Sequence, residues 1–331
     1  MLDYGKVTDT VYKRSVKKVL ERKISGLDKK CLDTRDVLYF SDDGEKAMLT
    51  ASAVLTGDKL AAAGAVQLAV NRLAAAGSRA LAVSMQLIVP SELPEKSIKE
   101  LMDAAAESCD KVHITFVQAD VMTAGGLTES VMTVTATGKA GSLFEPERAE
   151  ADQDIIMAGY AGGYGAAKLA FDHQAELEEH FNPVFLSPVM GADYTGDAIS
   201  AVPAARAAAA AGVRTMYACG EGGVYTAVWE LAENAGLGAR IQLKEVPLKQ
   251  ETVEICDYFN ISPYQLVSVG AVLLTATHGQ KVLAELAAAG IPAVIIGHLT
   301  DDNDRVVLNE EEVRFLEPFR YESLNQAKSE S

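Results

Sequence analysis

Apolar and polar positions alternate with two periods along the chain, and the period changes mark the elements. Residues 10–24 place Val11, Val16, Val19 and Leu20 on one side of an amphipathic helix. Extended patterns follow at 37–40 and 46–54, separated by the acidic turn Ser41-Asp42-Asp43-Gly44-Glu45. Residues 59–76 are alanine-rich and helical, stopped by Gly77. A strand is predicted over Arg79–Val89, a helix from Pro94 to about Ser108, and strands over 112–120 and 129–137 joined at Ala124-Gly125-Gly126. The resulting order is β-β-α-β-α-β-β.

The pattern lapses at 138–152, a polar, glycine-containing stretch, and a domain boundary is expected there. The two units run over 1–145 and 150–325, with a disordered tail at 326–331. The second half reads as a strand at Asp154–Tyr160, a helix after Gly162-Gly163, and a helix at Ala201–Ala211. A strand at Val213–Tyr217, a helix opened by Gly222-Gly223, a helix at 250–258, a strand at 266–276, a helix at 279–289 and a strand at 292–299 complete it. This is an α/β (α+β) protein with room for two cores in its 331 residues.

Composition narrows the partners. The net charge of −16 argues against nucleic acid or an anionic membrane surface, because both require basic patches. No apolar run is long enough to span a bilayer and no signal core opens the chain, so a cytoplasmic protein is expected. The one basic cluster, Lys13-Arg14 with Lys17-Lys18, reads either as a phosphate contact or as a solvated helix face. Cys31, Cys109, Cys219 and Cys256 are scattered without C-x-x-C spacing, which suits idle thiols. The five histidines show no metal spacing, and His173 and His180 are placed on one exposed helix.

Five segments in order carry a family resemblance: LAVNRLAAAGSRALAVSMQLIVP (68–90), AGGLTES (124–130), DIIMAGYAGGYGAAKLA (154–170), GEGGVYTAVWELAENAGLG (220–238) and VPLKQETVEICDYFNISPYQLVSVGAVLLTA (246–276). The series resembles the AIR synthase (PurM-like) superfamily, nearest to its AIR synthase-related and HypE-like branch. The resemblance implies an N-terminal domain whose strands form a barrel with a second subunit, and a C-terminal α/β domain beside it. It also implies ATP between them, with Mg²⁺ held on acidic residues because hard cations prefer carboxylate oxygens.

The acids of the family pattern are largely replaced. Its first site, roughly G-x-D-D/C-A, corresponds to Ser41–Ala47, where Asp42, Asp43 and Glu45 read either as cation ligands or as hairpin residues. The second, D-P-x-T-G, becomes Ala51–Gly57, with Ala51 or Ser52 where the acid belongs; Asp58 reads as a helix N-cap. The third, Asn-Asp, is Asn71-Arg72: an arginine that contacts phosphate, takes the metal's place, or lies on the surface. The fourth, G-G-H/D-T-E, is Gly125-Gly126-Leu127-Thr128-Glu129. The fifth, M-H-D-x-T-E-G-G, is Met216–Gly223, keeping Glu221, Gly222 and Gly223 but carrying Ala218 for the aspartate. Those glycines leave helix N-terminal N–H groups suited to an anion, and Cys219 lies beside them without an evident base.

Two functions follow from this pattern. One is a HypE-like protein whose Mg-ATP catalysis is lost or altered, a pseudoenzyme that binds another small molecule or nucleotide, or serves as a subunit in a homodimer or heterodimer with a related chain. The other is an ATP-dependent enzyme that activates a carbonyl or carboxamide oxygen by phosphorylation, using Asp42, Asp43, Glu45 and Glu129 for Mg²⁺.

Overall fold

A computed structural model describes residues 9–18, 37–40 and 48–317. The chain opens with a helical segment, α1 (Asp9–Tyr12), which continues with π winding through Lys13–Lys17. The remainder of the 10–24 helix expectation, the Ser41–Ala47 turn with Asp42, Asp43 and Glu45, Cys31, and the tail at 326–331 lie outside the described residues.

The first sheet has five strands: β1 (Val37–Phe40), β2 (Met48–Gly57), β3 (Arg79–Pro90), β4 (Thr115–Ala124) and β5 (Ser130–Lys139), in spatial order β1-β2-β5-β3-β4. Only β3 and β4 run parallel, joined by the crossover helix α3 (Glu95–Lys111). Alternation decides the faces. Leu49, Ala51 and Ala53 of β2, Val83, Met85 and Leu87 of β3, and Met132, Val134 and Ala136 of β5 are buried in one core cluster with α2 (Lys59–Ala75) and α3. Their neighbours Ser52, Val54 and Thr135 belong to the opposite face.

Helix α2 decides the geometry of everything that follows. All its residues from Leu60 to Ala75 are buried, so it is covered on every side. Alanine and glycine make that possible, because small side chains allow close approach. A Cβ on Gly64 would stand 2.3 Å from the Tyr164 hydroxyl, which donates to the Leu60 carbonyl from the second half of the chain. Asp58 caps the helix by accepting from the Leu60 N–H at 2.9 Å.

Residues 140–153 carry neither helix nor strand and lead to the second sheet. Its seven strands are β6 (Asp154–Ala158), β7 (Thr215–Ala218), β8 (Gly238–Gln242), β9 (Val272–Ala276), β10 (Ala293–Thr300), β11 (Arg305–Asn309) and β12 (Glu312–Phe315), ordered β12-β11-β8-β10-β6-β9-β7. Its helices are α4 (Gly163–Asp172), α5 (Gln174–His180), α6 (Pro183–Met190), α7 (Val202–Ala210), α8 (Gly223–Ala235), α9 (Gln250–Tyr258) and α10 (Gly279–Ala288). Helix α8 packs with Ile155, Met157 and Ile241, whereas α7 and α10 pack with Ile156, Ala158 and Leu274. Helices α4, α5, α6 and α9 join the α2 core instead.

Several expectations need correction. The strand expected over 266–276 is extended ladder only at Val272–Ala276; residues 263–271 are turns that run past the starts of α4 and α8. Their carbonyls accept from Gly165 and Tyr225 rather than from a neighbouring strand. His173 is not within a helix shared with His180. It sits between α4 and α5, its N–H donating back to Leu169. Helix α5 is the expected helix carrying His180, whereas helix α6 and strands β8, β11 and β12 were not anticipated, being short and weakly periodic.

Candidate functional site

Asn71 and Arg72 lie near the end of α2, where the helix passes between the two halves. Asn71 is buried, and both ends of its amide are used: Nδ2 donates to the Ile199 carbonyl at 2.9 Å, and Oδ1 accepts from the Ala201 N–H at 2.8 Å. It is thus a staple to the second domain. For Arg72 the structure removes one of the three alternatives left by the sequence. Its side chain is 7% exposed, so it is not a surface arginine. Nη1 donates to the Ser52 carbonyl at 2.6 Å, and Nη2 donates to Glu221 Oε2 at 2.6 Å.

Glu221, 11% exposed, lies on the turn between β7 and α8. The ion pair therefore joins the N-terminal helix α2 to the start of a C-terminal helix. Charge accounting explains why both groups persist. A lone buried guanidinium or carboxylate carries a desolvation penalty of several kcal/mol in order-of-magnitude terms, which pairing offsets. The second, third and fifth sites of the resembled pattern converge here as Ser52, Arg72 and Glu221. The carboxylate that remains is held by an arginine.

The Glu221 turn is built by glycine. Gly222 caps α8 with φ +74° and Gly223 follows at φ +65°, both in the left-handed region. A Cβ on Gly223 would meet the Tyr264 carbonyl oxygen at 2.4 Å, so this residue also admits the 263–268 segment. That segment changes the anion expectation. The Tyr225 N–H donates to Tyr264 O at 3.2 Å and the Gly223 N–H to Gly220 O at 3.1 Å, so two helix N-terminal donors are already engaged within the chain. Ala218 is buried and offers no carboxylate. Cys219 is fully buried, and desolvation pushes its thiol up to about 12. It is protonated and shielded at neutral pH, which removes it as a nucleophile. Burial likewise raises Cys109 and Cys256 to about 12.

The Gly125-Gly126-Leu127-Thr128-Glu129 turn joins β4 to β5 elsewhere. Gly125, Gly126 and Thr128 are exposed, and a Cβ on either glycine meets nothing within 4 Å. Gly57 pairs with Ser130 while Ser52 pairs with Thr135, so the turn stands roughly 17 Å along the ladder from Ser52. Within one chain, Thr128 and Glu129 are not brought to Arg72.

One group escaped the sequence reading. Lys168 of α4 is almost wholly buried, paired with Asp172 and lying 3.9 Å from Asp58 of the first domain. A Cβ on Gly57 would contact its Cε at 2.9 Å, so the glycine makes room for the lysine stem. Its signal was faint, since Lys168 stands alone in an alanine-rich helix. Among the described residues, no group of three or more His, Cys, Asp or Glu is arranged to hold a metal ion. No described helix is long and apolar enough to cross a membrane.

Comparison with known proteins agrees with this architecture. Residues 27–140 match the AIR synthase related protein, N-terminal domain, and residues 151–309 match the corresponding C-terminal domain. A Methanocaldococcus jannaschii protein named for hydrogenase expression and formation is 22% identical over 238 residues, covering 68% of this chain and 66% of that protein. Carbamoyl dehydratase HypE of Rhizobium leguminosarum bv. viciae is 23% identical over 235 residues, covering 68% of this chain and 63% of its own. The matched stretch thus spans just under two thirds of these relatives. A crystal structure of HypE in complex with ATP superposes with a TM-score of 0.69 at 17% identity, covering 98% of each chain. The chain belongs to the AIR synthase-related family.

Proposed function

We propose that this HypE-like chain has lost Mg-ATP catalysis at its interdomain site and acts there as a ligand-binding or partner subunit. The carrying observation is the buried Arg72–Glu221 pair. A guanidinium occupies the position whose resemblance calls for a metal-binding carboxylate, and it neutralises Glu221, the acid retained at the fifth site. Mg²⁺ requires several anionic oxygens and is repelled by a fixed cation, so the Ser52, Arg72 and Glu221 set does not fit it. No catalytic step is assigned to these residues.

The competing reading is an ATP-dependent enzyme with a rearranged metal site. It is favoured by the fold shared with a HypE that binds ATP and by Asp42, Asp43, Glu45 and Glu129. Isothermal calorimetry of the purified protein with ATP decides between them. No Mg²⁺-dependent heat is expected. Micromolar, Mg²⁺-dependent binding that disappears in an Asp42→Ala/Asp43→Ala variant would establish the enzyme reading instead.

A dimer is part of the proposal. Val54 is exposed on the face of the first sheet opposite α2 and α3, and Val117, Val121 and Met122 are exposed on β4, three strands away at the end of the strand order. The resemblance assigns this surface to a second subunit, and burying such a patch is the usual reason for its existence. Sedimentation velocity is expected to give twice the mass of one chain, and Val117→Glu/Met122→Glu to give a folded monomer. A wild-type monomer at tens of micromolar would leave only pairing with a related chain.

A further inference from the structure

Strand β7 is the last strand of the second sheet, and the connector between the domains runs along its outer edge without completing a ladder. The Cys219 N–H donates inward to the Ala271 carbonyl, so by strand alternation Arg214 and Met216 turn their backbone groups outward. The Arg214 carbonyl is met there by the Glu147 N–H at 3.0 Å. The next rung is missing. The Glu147 carbonyl accepts from Thr215 Oγ1 at 2.7 Å, and no bond joins the Met216 N–H to the connector. Thr275, opposite Thr215 in the ladder and about 5 Å from it, has a buried hydroxyl that lacks any partner. Buried polar groups without partners are rare, and each calls for an explanation.

A cleft of about 40 Å³ opens at this missing rung, walled by the connector, the start of β7 and the last turn of α8. It lies at the far end of α8 from Glu221, roughly 15–20 Å along the helix axis, and is separate from the Arg72 pair. Two guanidiniums line it. Arg214 Nη1 donates to the Ala209 and Val213 carbonyls at 3.0 and 2.9 Å, which fixes the plane and leaves Nη2 without a partner among the described residues. Arg148, exposed on the connector, has no hydrogen bond or ion pair among them. Glu147 is the single acid in the lining, so the cleft carries a local positive excess in a chain of net charge −16.

We propose that this cleft binds a small oxyanion, one carboxylate or phosphate group, between Arg148 and Arg214 with the Met216 N–H as a further donor. Guanidinium forks match both oxyanions. Size sets the limit, since the volume equals that of about three water molecules and admits no nucleotide. The inference is independent of whether the interdomain site retains Mg-ATP chemistry.

Thermal unfolding of the full chain tests it, with sodium phosphate or sodium acetate compared with chloride at matched ionic strength. Anions excluded from protein surfaces stabilise any fold, so Arg148→Gln supplies the baseline; that side chain is exposed and unpaired, and its loss leaves the fold intact. Arg214→Gln is the second variant, read by its anion-dependent shift because the residue also caps α7. A saturable rise in wild-type melting temperature is expected, with apparent affinity weakened at least tenfold in both variants. A response to phosphate alone identifies a phosphoryl ligand and a response to acetate a carboxylate; either supports the site. Equal shifts in wild type and Arg148→Gln, or no saturable wild-type response to either anion, overturn the inference.

Discussion

Arg72→Met is expected to destabilise the protein by about 3–5 kcal/mol, the range for removing one partner of a buried ion pair. Two consequences add. The Glu221 carboxylate, 11% exposed, loses its counter-charge, and the Ser52 carbonyl loses its donor. Glu221→Gln on the same background is expected to recover much of the loss, because no uncompensated charge then remains. The coupling between the two changes, taken from a double-mutant cycle in urea unfolding, measures the pair. Salt is expected to matter little, since the pair is shielded from mobile ions. A single variant within about 1 kcal/mol of wild type would show that this contact does not link the domains, since buried pairs do not break that cheaply.

The second large effect contrasts two glycines at the same position in two helices. Gly163 opens α4 and Gly223 opens α8. At Gly163 a Cβ meets nothing within 4 Å, and its φ is not positive. Gly163→Ala is expected to be neutral or stabilising by up to ~1 kcal/mol. At Gly223 the backbone is left-handed, and the added carbon would lie 2.4 Å from Tyr264 O and 2.7 Å from Leu266 O. Left-handed strain and a clash with backbone together are expected to cost about 2–5 kcal/mol. The Tyr264–Leu266 segment must move, and Glu221, two residues away, moves with it. Equal unfolding midpoints for the two variants would show that the α8 start is not built as described.

Much of the fold was legible because its signals are local. The alanine run 59–76, the Gly77 stop and the Asp58 cap specify α2 almost to the residue. Strong alternation gives β2, β3 and β5. What escaped were elements whose pattern is weak or whose partners are remote. The four residues of β12 carry no readable alternation, and among the described residues its one ladder partner is β11. The 263–271 stretch is apolar enough to suggest a strand. Instead it is held by helix-start N–H groups of α4 and α8, whose arrival nothing local announces.

The candidate site divides in the same way. From the sequence alone came the family pattern, the loss of its acids at Ala51 or Ser52 and at Ala218, and the charge reversal at Arg72. These are facts of residue identity, and identity is what a sequence holds. Tertiary structure alone decided that Arg72 is buried, that Ser52 and Glu221 meet it, and that Thr128 and Glu129 do not. A buried charge needs an opposite charge at hydrogen-bond distance, and the residue that supplied it lies 149 positions away along the chain. Only the packing of α2 against the second domain brings those two together.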